Sequence, residues 1–530
     1  MTIAQLGSVN TTALIVPGLL VQIVPPQNIV LNGVPTNRLG IVGTAQWGPV
    51  NQSTIIGTMQ NYAQTFGAIQ NRKYDMGTAV AAAVQQGASD FRCVRVTDGT
   101  DAAASLVFVA NCMTYTALYT GTLGNQVTVT HGPGAQTGTL RVVVSLPGVY
   151  SEVFNNIPMT GNGTTTAPSQ AIAAAINTGA GQLRGASNLI RATAGSGTTA
   201  YILTQGTALS LTGGADGVTT ITASVLVGSD AATPRTGMYA LRGQGTSVGM
   251  LADADDSTQW TTQAGFGLSE GIYMIGVAPA GIVIQNGTTG VVDIKASAGL
   301  DTYAFKLMHG DWIWWNDQTN NVTRLISPQG FVAGRLANLS PEQSSLNKPL
   351  YGVVGSQKSG LPGGSTFQIY ADADLAALFQ PGVDVISNPQ PGGTYWGVRC
   401  GHNSSSNAAT NGDNYTRMTN YIAATLNAGM GVYVGMTITP DLFKRVRATL
   451  LSFLQNLLNQ GVLGLTTSGG LPFSVVCDVS NNPFSRTSLD YLQADIQVQY
   501  MAINEKFIIN VEGGQTVNIT RQTTPSGQGQ

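Results

Sequence analysis

Residues 38–96 switch between two periodicities, and that switch restricts the fold more than any other feature of the chain. In "RLGIVGTAQWGPVN" a β-prone run over 39–43 leads to the Gly48-Pro49 turn, and a second run follows at 54–56. "NYAQTFG" places Tyr62 and Phe66 four residues apart, a short amphipathic turn that Gly67 ends. "MGTAVAAAVQQGASDFRCVRVTDG" then predicts a helix over 75–86, a stop at Gly87 and a strand over 91–96. Strand, helix, strand is the order of an α/β unit, in which helices bury the faces of a sheet.

From about residue 97 to 230, Gly and Thr become frequent, and short alternating runs such as "NQVTVT" and "LRVVVSL" sit between turns. That predicts a β-rich unit with one helix near 170–177. A composition shift near 231–239 leads into "IYMIGVAPAGIVI" and "TYAFKLMHGDWIWWND", which mix strands and helices as a further α/β unit would.

The last third has the clearest periodicity. "DNYTRMTNYIAATLNAGM" reads as a helix and "GVYVGMTITP" as a strand, whose Thr439 caps a helix with Pro440 at its first position. Leu442, Val446, Leu450, Phe453, Leu454 and Leu457 recur at helical spacing until Gly461, with Lys444 and Arg445 on the other side. "FSVVCD" predicts a buried strand and "DIQVQYMAI" a half-exposed one. Both ends carry β-prone apolar segments: Leu19, Leu20, Val21, Ile23 and Val24 near the start, and Phe507, Ile508, Ile509 and Val511 near the end. An unpaired strand is a template for another chain unless charge or Pro blunts it, and charge here is sparse.

Charged residues make up only 9% of the 530, whereas 43% are hydrophobic, which predicts a folded chain with several cores rather than a disordered one. A net charge of −2 and the lack of any cluster of five basic residues argue against nucleic-acid binding. Low charge density also weakens repulsion between copies, which suits assembly. The first basic residue is Arg38, so no secretion signal is expected, and no apolar run approaches the roughly 18 residues of a membrane span. Cys93, Cys112, Cys400 and Cys477 lack CxxC spacing and read as small apolar residues in a reducing compartment.

No constellation for chemistry emerges. His131, His309 and His402 lie in separate regions without metal-ligand spacing. "GQGTSVG" has no phosphate-binding lysine; its last five residues spell GxSxG around Ser247, but "LRGQ" is a poor strand for a nucleophile elbow. Asp253, Asp255 and Asp256 form one acidic triplet without the other ligands of a calcium loop, and read as a loop or helix start. "LTGGADG" is a single copy of a motif that binds calcium in tandem, so a tight turn is expected. In "WIWW", adjacent tryptophans would face opposite sides of a strand and pack into cores. The expectation is no catalytic residue, metal site or cofactor, and no enzyme.

Taken in order, these segments resemble the tail sheath proteins of contractile-tailed bacteriophages. "PGLLVQIVPP" followed by "GVPTNRLGIVGTAQWGPVN" is similar to the opening of that family, a β arm leading to a strand and a Gly-Pro-Val-Asn turn. "FRCVRV", "LYTGTLGNQVTV", "LTGGADG", "WGVRCGHN", "NYTRMTNYI", the helix over 443–461 and "CDVSNNP" match further landmarks in the same order. The family often has Thr where this chain has Cys400, and its middle segment differs from "WIWWND" and "ISPQG".

The resemblance implies a mixed α+β and α/β multidomain fold. A shared α/β sheath domain would be built from both ends of the chain (28–96 and 356–506), with a β-rich domain (97–230) and an α/β domain (231–355) inserted and facing outward. Extended β arms (1–27 and 507–530) would add strands to neighbouring subunits. The implied function is a contractile sheath of stacked hexameric rings, helically arranged around a tail tube, that drives the tube through a host envelope. Implied partners are further copies of the chain, the tail tube protein, and baseplate and tail terminator proteins, with no direct nucleic acid and no membrane insertion. The implied place is the virion tail, assembled in the host cytoplasm, and Lys444 and Arg445 would face the tube. The alternatives are the sheath of a tail-like bacteriocin or injection system, a receptor-binding or adhesin-type virion protein, and an enzyme using Ser247.

Overall fold

The computed structural model describes residues 2–4, 20–22, 31–109, 111–159, 166–195, 206–361, 368–509, 511 and 515. At its centre is a seven-stranded sheet in the spatial order Val383–Asp384, Phe305–Met308, Tyr273–Val277, Val248–Leu251, Arg38–Gly43, Asp90–Arg95, Ser53–Ile56. Every pairing is parallel except that of the Ser53–Ile56 edge. Parallel strands need helical crossovers that cover both faces, which explains why Val248–Leu251 and Tyr273–Val277 are buried at every position. Along Arg38–Gly43 the alternation of the strand sends Leu39 and Ile41 into one core and Val42 into the other.

The sheet unites segments that the composition shift near 231–239 had assigned to separate units, because strands 248–251, 273–277 and 305–308 extend the edge of Arg38–Gly43. Helices Met76–Gln85 and Gln329–Asn338 pack together over one face. Their contact is close: a Cβ on Gly334 would lie 2.4 Å from the Cα of Ala83, and one on Gly330 2.9 Å from the Cβ of Ala82. Asp75 caps the first helix, accepting from the Thr78 amide at 2.8 Å.

Winding reverses at Arg38–Gly43, and in open α/β sheets ligands bind at the carboxyl ends of strands beside such a point. Here the chain itself bridges that edge: the Thr44 amide donates to the Tyr74 carbonyl (2.7 Å), the Met76 amide to the Thr44 carbonyl (3.0 Å), and the Tyr74 amide to the Asp253 carboxylate (3.1 Å).

Between strands Asp90–Arg95 and Val248–Leu251 of this sheet, residues 105–210 build two antiparallel sheets. One has the order Tyr150–Pro158, Thr139–Leu146, Thr128–Pro133, Ala208–Ser210; the other Ile190–Ala194, Met113–Ala117, Ser105–Val109. Both share one core with helix Thr166–Thr178. "LTGGADG" is more than a turn. Asp216 pairs with Arg72 at 2.6 Å, accepts from the Thr122 amide at 2.7 Å, and offers its carbonyl to buried Arg95 at 3.2 Å, tying the β-rich part to the sheet. Trp312 and Trp315 are buried, and the Trp315 indole donates to the Gln85 side chain at 3.0 Å.

The carboxy-terminal part holds helices Asp413–Met430 and Pro440–Asn459 and a two-stranded antiparallel ribbon, Phe473–Val476 with Asp495–Val498. Leu31 joins their core and the Val34 amide donates to Thr425 Oγ1 at 3.2 Å, so the two ends of the chain meet here. Thr439 caps the second helix by accepting from the Leu442 amide at 3.2 Å, and the six predicted apolar positions of that helix are all buried. Two readings need correction. "GVYVGMTITP" is no strand: Gly431–Tyr433 is a 3-10 turn, Gly435 has φ +86°, and Val432 and Val434 are exposed and pair with no strand among the described residues. Phe473–Val476 is half-buried, alternating in and out, because only one of its faces meets the helices.

Candidate assembly surface

The carboxy-terminal part is joined to the sheet through an ionic centre. Lys306, fully buried on the Phe305–Met308 strand, donates to Asp384 at 2.6 Å, to Asp413 at 3.0 Å and to the His402 carbonyl at 2.9 Å. Asp384 also accepts from the amides of Val385 (2.8 Å), Cys400 (3.0 Å) and Gly401 (2.7 Å). Asp413, the first residue of its helix, accepts from the Tyr273 hydroxyl at 2.6 Å, from the Ser345 amide at 3.1 Å and from the Ser345 hydroxyl. Burial penalises both charges, but the attraction between them wins: Lys306 titrates above its ordinary range and Asp413 below. Arg417, one turn along the same helix, is buried and donates to the carbonyls of Leu339 (2.7 Å) and Ser340 (2.8 Å).

Outside that joint, the surface of the carboxy-terminal part is unusual. Residues 432–511 carry more than half of the exposed large apolar side chains described, among them Val434, Val479, Phe484, Leu489 and Tyr491. Monomeric proteins rarely concentrate exposed apolar groups in this way. The ribbon lies in the same region. Among the described residues neither of its strands pairs with a third, and a two-stranded sheet is marginal by itself.

Leu20 and Val21 lie on strand Leu20–Gln22, which pairs in parallel with Thr2–Ala4; Leu19, Ile23 and Val24 fall outside the described residues. Phe507, Ile508, Ile509 and Val511 are 79%, 81%, 68% and 86% exposed and form no strand in the single chain. Lys444 is exposed on the Pro440–Asn459 helix, whereas Arg445 is half-buried. Arg447 shares the exposed face with Lys444, and the three-residue spacing between them was the signal that could have placed it there.

The remaining candidates have structural partners. The Ser247 hydroxyl lies 2.7 Å from the Thr36 carbonyl and 3.0 Å from that of Arg38. Asp255 pairs with Lys73 at 2.8 Å, and Asp256 caps a short 3-10 helix through the Thr258 amide. His131 meets the Tyr115 hydroxyl at 2.7 Å and His402 the Glu505 carboxylate at 2.7 Å, while His309 is buried. No group of three His, Cys, Asp or Glu suited to a metal occurs among the described residues, and no helix there is long and apolar enough to cross a membrane.

Comparison with solved structures adds what the geometry leaves open. The sheath tail protein from Listeria innocua superposes with a TM-score of 0.58, covering 86% of this chain and 91% of that one at 14% identity. The chain has the tail sheath protein fold. A sheath tail protein from Desulfitobacterium hafniense matches over 86% of this chain and 92% of its own (TM-score 0.54, 13% identity). The helical sheath of the anti-feeding prophage, in its contracted state, matches over 94% and 99% (TM-score 0.52, 10% identity). No family model and no curated protein matches by sequence. The sheath fold is therefore visible here through structure at identities where sequence alignment fails.

Proposed function

We propose that this chain is the structural subunit of a contractile sheath. Copies assemble as stacked hexameric rings around a tail tube and shorten to drive the tube through a host envelope, with no catalytic step in the subunit. The observation that carries this reading is the coincidence, on a sheath fold, of an open two-stranded ribbon with the region that carries more than half of the exposed large apolar side chains among the described residues. The arms, 1–27 and 507–530, pair with the outer edges of ribbons on neighbouring copies, with main-chain hydrogen bonds giving affinity and alternate side chains giving register. Each ribbon strand is 4 residues long. At about 1 kcal/mol net per hydrogen bond, one added strand on each edge contributes several kcal/mol per subunit before ordering costs. Burying arm side chains such as Phe507 and Ile508 adds about 1.5–3 kcal/mol each.

Lys444 on the exposed face of the Pro440–Asn459 helix, with half-buried Arg445 beside it, meets carboxylates of the tube. The β-rich part and the neighbouring part of the sheet face outward. Baseplate and terminator proteins close the two ends of the cylinder, and the assembly forms in the host cytoplasm as part of the virion tail. The sheath of a tail-like bacteriocin or injection system would use the same surfaces.

Electron microscopy of the purified full chain tests the class. Hollow striated cylinders are expected, and chains lacking 1–27 or 507–530 are expected to remain as single subunits or short aggregates. Cylinders of normal length from both truncations would contradict the arm reading.

A further inference from the structure

We infer that His402 and Glu505 are positioning residues for the carboxy-terminal arm, and that their contact fixes the point at which the arm leaves the body. This rests on the proposal that residues beyond 506 act as an arm. From Gln499 to Glu505 the chain has neither helix nor strand, yet it is fastened at intervals. The Gln499 amide donates to the Pro472 carbonyl at 2.7 Å, the Tyr500 hydroxyl lies 3.2 Å from Thr419 Oγ1, and Asn414 Nδ2 donates to the Met501 carbonyl at 2.9 Å. The last fastening is Glu505 Oε1 against His402 Nε2, at 2.7 Å. One residue later the character changes: among the described residues no hydrogen bond or ion pair reaches Lys506, Phe507, Ile508 or Ile509, and all four are exposed.

His402 is a firm anchor. Its carbonyl accepts from buried Lys306 at 2.9 Å, its backbone bridges Gly412, and its Nδ1 lies 3.4 Å from Asn411 Nδ2. The ring is only 15% exposed, whereas Glu505 is 40% exposed. A fixed ring thus holds a mobile-length side chain at the root of an otherwise free segment. The same residue connects that root, through its carbonyl, to the ionic centre joining the carboxy-terminal part to the sheet, so a pull on the arm loads the body rather than peeling the strap from helix Asp413–Met430.

Lys506 follows the clasp directly and provides the probe, because trypsin must seat the residues before it, including Glu505, so cleavage after Lys506 quickens when the strap opens. In the full-length, unassembled chain, E505A and H402A are each expected to raise the rate of cleavage after Lys506 roughly three- to tenfold, with cleavage elsewhere unchanged. The double variant should be no faster than either single one, and E505Q, which keeps the acceptor oxygen, should lie between wild type and E505A. Unchanged rates, additive effects in the double variant, or faster cleavage along the whole chain would overturn the inference. The arm reading fails separately: normal cylinders from a chain lacking 507–530 would end it, whatever the proteolysis shows.

Discussion

Replacing Lys306 by Met keeps the length of the side chain and removes its charge from the ionic centre. The wild-type centre is balanced, since Lys306 and neighbouring Arg417 offset Asp384 and Asp413, all four buried within or beside the joint. K306M leaves two carboxylates facing each other with only Arg417 to offset them. Breaking a buried pair by removing one partner costs about 3–5 kcal/mol, far more than an exposed pair is worth. The loss should be local, so hydrogen exchange of the Asp413–Met430 helix is the readout, with amides that open about two to four orders of magnitude more often than in the wild type.

The pH dependence gives the sign. Asp413 is depressed in the folded protein, so its contribution is present above the ordinary carboxylate range and is lost as pH falls through the folded value. Lys306 is raised, so its contribution is present below the ordinary lysine range and is lost only as pH rises through the folded value. The wild-type joint is therefore firm from about pH 4 to about pH 10. In K306M one carboxyl must take up a proton, and protection of the helix should improve as pH falls from 7 to 5, a range over which the wild-type joint does not change. D413N added to K306M removes the second uncompensated charge and should recover at least half of the loss. A K306M chain with wild-type exchange, or a double variant worse than the sum of the single ones, would refute the reasoning.

Three further outcomes are expected. Burial pushes Asp253 up to about 7, so its contribution to stability is full only below the ordinary carboxylate range and is lost as pH rises through the folded value; D253N, whose Asn suits the φ of +52° at this position, should raise stability by about 1–3 kcal/mol at pH 8 and leave it unchanged at about pH 3 in thermal melts. G334V forces a side chain into the Ala83 backbone and should lower stability by about 1–3 kcal/mol or more, read as a lower unfolding temperature. K444E with R445E should weaken sheath formation on tubes in co-sedimentation while leaving the melting temperature unchanged, and full tube decoration would remove these residues from the contact.

The legible parts of the sequence were those where local chemistry decides the structure. Thr439-Pro440 and the stripe from Leu442 to Leu457 located a helix because capping and periodicity are local properties. The core placement of Trp315 followed from strand alternation, which leaves Trp314 half-buried on the other face. "GVYVGMTITP" misled because β-branched residues favour a strand only where a partner exists, and Gly435 with the exposed Val434 shows none. The seven-stranded sheet crosses the 231–239 boundary because pairing of Arg38–Gly43 with Val248–Leu251 is a contact between distant segments that no local pattern encodes. The joint was hidden for the same reason: Lys306, Asp384, His402 and Asp413 are ordinary residues in sequence and form a centre only once three elements converge.

Cryo-electron microscopy of the assembled cylinder tests the central claim most directly, at a resolution that traces the backbone around Phe473–Val476 and Asp495–Val498. The account predicts that both outer edges of that ribbon are paired with strands from other copies, one amino-terminal and one carboxy-terminal. Cylinders in which the ribbon edges face solvent, or meet neighbours through side chains alone, would contradict it.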